Sequence, residues 1–352
     1  MDIASRETDK IIAKIEKEIA KEYRQAYKEM SKKVEDYFRR FEWKDKKWRE
    51  WVKAGKRTKA DYLEWRKGQM IVGKRWREMK ETLAQDLSNT YKIADSIAKG
   101  ERPEVYALNF NFETYRIERK TSIDTSFTLY NRDAVARMYR ENPKLYHSKI
   151  GKEVQRQINE GTLKRWERRK IQNVLTQGIL QGESIPNLTK RLELMYGGDH
   201  NAAIRNARTM MTGVQNAGRV DAMVRANQMG IICQKQWIAS LDDRTRHWHR
   251  DLDGQSIPVD EAFHNLYGDI MFPGDPDADG SNIYNCRCTL LTAIKGFEID
   301  ASDLKLRYDD NLGDMTYEEW KSRRKSTSNP IDAQERRSAY YRKKWTDKYK
   351  EK

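Results

Sequence analysis

Nine apolar residues recur at steps of three and four near the start of this chain: Ile12, Ile15, Ile19, Tyr23, Tyr27, Met30, Val34, Phe38 and Phe41. That spacing puts them on one face of an α-helix and predicts a helix over residues 5–53. So long a helix cannot bury its stripe alone and needs a partner of similar length. One follows. Gly55 breaks the first helix, and Thr58 with Asp61 has the pattern of a capping box. Val72, Trp76, Met79, Leu83, Leu87, Tyr91 and Ala94 then form a second stripe. Two striped helices joined by a short break predict an antiparallel helical hairpin over residues 1–100.

Composition agrees with long, well-solvated helices. Charged residues make up 35% of the 352, yet 10% are aromatic, too many for a disordered chain. The net charge of +15 favours DNA, an acidic protein or anionic lipid as partner, or reflects a Lys-rich surface alone. No apolar run reaches the roughly 20 residues that span a bilayer, so no membrane segment is expected. The start, MDIASRETDK, has no signal-peptide core. Three cysteines cannot make a disulfide framework, which predicts a reducing compartment.

Five of the ten tryptophans lie in the hairpin, and Trp43, Trp48 and Trp51 sit beside Lys44, Lys46 and Lys47. Such a cluster can stack bases and neutralise phosphates. It can equally pack a hairpin under lysine stems, or anchor a protein partner.

Gly100 to Pro103 is expected to end the arm. Tyr106, Leu108, Phe110 and Phe112 then alternate with Ala107, Asn109, Asn111 and Glu113, the pattern of a half-buried strand. Residues 126–130 are a candidate pairing partner. Residues 101–164 thus read as a small β-containing linker with a helix. Helical periodicity returns from Leu163 to Leu180, Ser184 caps a further helix, and another runs from about Asn201 to Gln228. This last helix has small residues (Gly213, Ala217, Gly218, Ala222) that admit a close neighbour. It also has a polar line of Arg205, Arg208, Thr212, Asn216 and Arg219. The line suits a phosphate backbone or an acidic partner. Internally, Arg208 and Arg219 can clamp Asp242 or Asp243.

Strands are expected at 231–239 and 289–294. They bracket an irregular excursion in which His247 and His249 sit on one side, Cys286 and Cys288 on the other. The chain has only five His and three Cys, so these two tight pairs stand out. Imidazole and thiolate on two sides of a loop are what one structural zinc ion requires. His247, His249, Cys286 and Cys288 are the candidate ligands, with His264 outside them. Buried thiols acting as small hydrophobes explain the cysteines equally. Asp275, Asp277 and Asp279 precede Gly280, but no glutamate closes a calcium loop, and Asp-Pro and Asp-Gly turns account for them. Residues 297–352 read as a basic helical tail with short helices at 316–325 and 331–348.

Order and spacing across this region resemble the phage head-morphogenesis family, the Mu F-like minor head proteins. The residues that carry the resemblance are Asn206-Ala-Arg208-Thr209, Asn216-Ala-Gly218-Arg219, Asp243-Arg244-Thr245-Arg246 with His249, Leu252-Asp253-Gly254, Pro273-Gly274-Asp275 and Asn285-Cys286-Arg287-Cys288. It is strong over about 165–295 and weaker before. It implies a Mu F-like domain over 165–296, with Asp243, Arg244, Arg246, Asp253, Gly254 and Asp275 as its structural loop. Relatives can carry Cys where this chain has Arg246, which cannot bind a metal.

The resemblance implies a structural, non-enzymatic minor capsid protein of the phage head. Its partners would be the portal protein, other head proteins and double-stranded DNA, with no small-molecule substrate. Its place would be the head interior near the portal, after assembly in the host cytoplasm. Some relatives add a toxin or transferase domain; about fifty residues follow here, too few for one. The resulting expectation is a mainly α protein with a small α+β domain. Rival readings are a DNA-condensing or ejection protein and a metal-dependent hydrolase.

Overall fold

The computed structural model describes residues 2–121, 128–141, 162–294, 316–322 and 326–327. The protein is mainly α with a small α+β portion. Its Cα trace divides into two compact units, each discontinuous in sequence. Unit 1 comprises Met1–Ile15, Ala98–Gly151 and Arg205–Lys352; unit 2 comprises Glu16–Ile97 and Lys152–Ile204. No helix among the described residues is long and apolar enough to cross a membrane.

Unit 2 is the helical hairpin with two further helical segments. Helix α1 spans Ile3–Arg39 and α2 Glu42–Lys53, so the single helix predicted over 5–53 is interrupted at Arg40 and Phe41. The first stripe ends there, and α2 has no buried residue. Helix α3, Lys59–Met70, opens on the predicted capping box: the Asp61 amide donates to Thr58 Oγ1 and the Thr58 amide to Asp61 Oδ2. The second stripe starts later than expected, on α4, Gly73–Thr121. Helices α1 and α4 run antiparallel, with Lys33 paired to Asp86 at 2.5 Å and Tyr37 against Trp76 at 5.8 Å. Helix α6, Thr162–Leu180, ends against α3. There Arg66, 1% exposed, donates to the carbonyls of Ile179 and Glu183. A guanidinium on the last carbonyls of a helix satisfies groups that the helix itself cannot.

Unit 1 corrects one expectation. Tyr106 to Phe112 is not a strand: α4 continues through Gly100 and Pro103 to Thr121. Proline removes the hydrogen bond to the carbonyl four residues back. Here that carbonyl, Lys99 O, accepts from Arg102 Nε at 3.4 Å instead. The alternation misled because this stretch is buried on every side. Asn109 and Glu113 are as inaccessible as Tyr106 and Phe110. Asn109 donates to Val105 O and Thr8 Oγ1, and Asn111 exchanges two hydrogen bonds with the backbone of Tyr130.

Strand β1, Leu129–Tyr130, pairs in parallel with β7, Ser326–Thr327, and not with residues 106–112. Helix α5, Arg132–Glu141, follows β1. The two helices expected after Ser184 are one, α7, Ile185–Gln228. Its small residues serve the purpose expected of them. A Cβ on Gly218 would lie 2.7 Å from Tyr106 O, and one on Gly213 2.5 Å from Gly274 O. Strands β2 (Cys233–Ile238), β3 (Ser256–Pro258) and β6 (Thr289–Ile294) form an antiparallel sheet in the order β3-β2-β6, with Cys233 opposite Ile294. The strands predicted at 231–239 and 289–294 therefore pair directly. A hairpin of β4 (Phe263–Asn265) and β5 (Gly268–Ile270) lies within the excursion. Single turns α8 (His247–Arg250) and α9 (Gly280–Ile283) complete it. Helix α10, Tyr317–Ser322, brings Tyr317 onto Ala4, Phe112, Tyr115 and Leu129. The helix expected at 331–348, the end of the one expected at 316–325, and the strand residues 126 and 127 lie outside the described residues.

Candidate metal centre

The polar line on α7 holds the returning side of the excursion by its backbone. Thr209 Oγ1 accepts from the Asn285 amide at 3.2 Å, and Asn285 has φ +53°, which turns the chain inward. Thr212 donates to Cys286 O at 2.8 Å. Asn216, fully buried, donates to the carbonyls of Pro273 and Cys288 and accepts from the Leu290 amide at 3.0 Å. Arg219 donates to Leu290 O at 3.0 Å. Thr212, Asn216 and Arg219 of the line, with Thr209 beside it, thus hold the backbone from 285 to 290, and the cysteines inherit their positions.

The outgoing side is fixed by the sheet. Asp253 Oδ1 accepts from the Ala239 amide at 2.7 Å, and Gly254, with φ +80°, returns its amide to Trp237 O. Arg246 precedes α8 and donates to Tyr284 O, tying the two sides together. Helix α8 then turns His249 inward, to 1% exposure, with its ring against Trp237 at 5.3 Å.

His249, Cys286 and Cys288 converge. His249 Nδ1 lies 3.6 Å from Cys286 Sγ and 3.5 Å from Cys288 Sγ, and the three donor atoms lie within 4.8 Å of one another. One imidazole nitrogen has a single lone pair or a single proton, so it cannot serve two thiols with directed hydrogen bonds. A cation at the centre satisfies all three. Tetrahedral zinc, with bonds of ~2.3 Å to sulfur and ~2.05 Å to nitrogen, places those atoms about 3.5 Å apart. The two observed separations match that edge, and the donor set is one that zinc accepts. The cluster can hold a metal ion. The thiol pair also leans toward ionisation at one site. Cys286 is held below the usual thiol range by the Cys288 thiol, against the cost of burial and with help from Arg246 and Arg287. Cys288 is correspondingly pushed up by Cys286 and by burial.

His247 does not join. It is exposed on α8, where positions two apart diverge by about 200° instead of sharing a strand face. His264 is exposed on β4, with Nδ1 2.6 Å from Asp269. Among the described residues no further His, Cys, Asp or Glu completes the trio.

The expected clamp is also different. Asp242 is bound by Arg287, which holds its carboxyl far below the carboxylate range, and Asp243 is exposed. Arg219 turns the other way, to Asp2, Asn109 and Glu113. Arg205 covers the Tyr284 ring at 4.5 Å, Arg208 is exposed, and Arg244 lies 3.9 Å from Asp242. Asp275 is buried and accepts from the amides of Met271 and Asp277. Burial raises its pKa, and those two amide hydrogen bonds oppose the rise. Asp279 caps α9 through the Ser281 amide, so both acids shape turns. The residues that sequence reasoning did not single out are Asp2 and Glu113, whose roles depend on partners over a hundred positions away. In unit 2 Trp48 stacks on Trp65 and meets Trp51 edge-on, and Trp43 is exposed.

Residues 169–291 match the family described as Phage Mu protein F like protein. The chain is 27% identical over 329 residues to the Minor head protein GP7 of Bacillus phage SPP1, covering 91% of this chain and 96% of that protein. It is 26% identical over 214 residues to the NAD(+)–arginine ADP-ribosyltransferase EFV of Enterococcus faecalis, covering 58% of this chain but 40% of that protein. No solved structure matches.

Proposed function

We propose that this chain, which carries a Mu F-like domain, is a structural minor head protein of a tailed phage. On this reading it resides in the head near the portal after assembly in the host cytoplasm. Its partners are the portal protein, other head proteins and packaged double-stranded DNA, and it acts during head assembly and genome exit. The observation that supports it best is coverage. The likeness to the SPP1 minor head protein spans nearly the whole of both chains, so the helical hairpin belongs to the shared architecture along with the domain.

The candidate metal centre has a structural task in this reading. His249, Cys286 and Cys288 hold one zinc ion, which staples an excursion rich in turns and poor in apolar core. Zinc in such a site supplies cross-linking energy. The surrounding residues order it: Thr212 and Asn216 fix the cysteine backbones, and Trp237 packs the imidazole. A genome-condensing DNA-binding protein is the second reading, favoured by the net charge of +15.

Co-expression with the phage's portal and scaffolding proteins, followed by sedimentation, tests the main reading. The chain is expected to travel with portal oligomers and assembled heads. Recovery only as free protein in that experiment overturns it.

A further inference from the structure

We propose that the end of unit 2, residues 39–75, is a docking surface for the phosphate backbone of duplex DNA. The proposal rests on the DNA partner named above and assigns the surface that meets it. The first observation is where the charge lies. Fourteen Lys and Arg face five Asp and Glu in this segment, a net +9 out of +15 for the chain. Arg66 alone among the fourteen is buried. Lys44, Lys46, Lys47, Lys53, Lys56 and Arg57 form no ion pair among the described residues, so their charge is available to a ligand.

The second observation is that the segment has a built internal support: Lys47 and Arg57 lie over the Trp51 and Trp48 rings at 5.2 and 5.8 Å, while Lys44, Lys46, Lys53 and Lys56 are exposed. Trp48 stacks on Trp65 at 5.7 Å and 23°, and Trp51 meets Trp48 edge-on at 5.4 Å. Arg66 locks α3 to the end of α6 and pairs with Asp45 of α2 at 3.2 Å. The capping box fixes the start of α3. Helix α2 therefore stands on a built aromatic support while burying none of its own residues. Its 12 residues span about 18 Å, over which duplex DNA carries about ten phosphate charges.

Charge and composition favour DNA over an acidic protein. Eight of the fourteen cations are lysines, a residue depleted from protein interfaces. Three of the segment's four tryptophans are committed to the internal stack, and only Trp43, 68% exposed, is free to anchor a protein partner.

The test measures binding of the full chain to a random-sequence duplex by fluorescence anisotropy at several salt concentrations. Lys44→Gln, Lys46→Gln, Lys47→Gln and Lys53→Gln are combined in one variant. A control combines Lys17→Gln, Lys21→Gln, Lys28→Gln and Lys32→Gln on the exposed side of α1. Circular dichroism checks that both fold. The tip variant is expected to flatten the slope of log K against log salt by about 2 to 4, and the control to keep it. Trp43→Ala is expected to bind DNA as the parent does. A tip variant with the parent's slope, or equal losses in tip and control, overturns the surface while leaving DNA binding intact. No binding by the parent chain overturns both. Loss of portal or head association in Trp43→Ala, with the tip variant's DNA slope unchanged, assigns the surface to a protein instead.

Discussion

Arg219 and Asp2, 217 positions apart, are joined by a 2.8 Å ion pair inside unit 1. Arg219 is fully buried, and its other bonds reach Asn109, Ser5 and the Leu290 carbonyl, with Glu113 at 3.5 Å. Burial opposes ionisation of Asp2, but Arg219 outweighs it and brings that carboxyl down to about 2. A depressed carboxylate pKa contributes stability above its unfolded value of 3.8 that is lost as pH falls through about 2. Removing the guanidinium takes the ion-pair partner from Asp2 and leaves the buried Glu113 with only Arg116, at 3.5 Å, as ion-pair partner among the described residues. Arg219→Met is expected to cost about 3–5 kcal/mol in denaturant unfolding. Asp2→Asn should cost less and remove part of the acid sensitivity between pH 4 and 2. A parental acid limb in Asp2→Asn would refute the assignment.

Gly218 and Gly197 lie on the same helix and predict opposite outcomes. A Cβ at Gly218 meets backbone atoms at 2.7 and 3.1 Å, which cannot swing away. Gly218→Ala should destabilise by about 1–3 kcal/mol. Nothing lies within 4 Å of a Cβ on Gly197. Gly197→Ala should stabilise by about 0.5–1 kcal/mol through helix propensity alone. Thermal melts of the two variants side by side check the pair.

The zinc staple predicts one equivalent of zinc in protein purified without added metal. Cys286→Ser and Cys288→Ser should each lose it, and chelator should lower the melting temperature by at least about 5 °C. Asn216→Leu touches no ligand directly. By freeing the Cys288 carbonyl and the Leu290 amide it should weaken zinc binding about 10- to 100-fold. Metal-free protein whose melting ignores chelator would sink the staple.

Glu167 gives unit 2 a pH dependence of the opposite sense to that of Asp2. Burial, then Asp199, raises its pKa to about 7, with Lys170 opposing. A raised carboxyl pKa means that the folded state holds the proton more tightly. Stability is therefore highest near pH 4.5 and declines as pH rises to about 7, by on the order of 3 kcal/mol. Protection factors in α6, taken against the intrinsic exchange rate at each pH, should fall over that interval, and Glu167→Gln should flatten the profile. Protection factors that stay flat with pH in the parent chain would refute it.

What the sequence made legible was local or periodic. The stripe on α1, the capping box at Thr58 and Asp61, and the strands β2 and β6 each follow from the pattern within one segment; that the two strands pair does not. His249, Cys286 and Cys288 stood out because His and Cys are scarce. His247 was misplaced because a single turn of helix, not a strand, carries the pair. Tyr106 to Phe112 was misread because alternation implies a strand only when one side meets water, and here neither does. The partners of Arg219 were hidden for another reason: Asp2 and Glu113 carry no local pattern, and only the folded chain brings them near.

The discontinuity of unit 1 sets a timetable for biosynthesis. Asp2 and Ser5 leave the ribosome more than two hundred codons ahead of the guanidinium that binds them, and β6 comes later still. At roughly 5–20 residues per second, this segment waits about 10–45 s for its counterpart. Through that interval the nascent polypeptide can complete neither the sheet nor its buried charges, and a chaperone has its longest opportunity to bind.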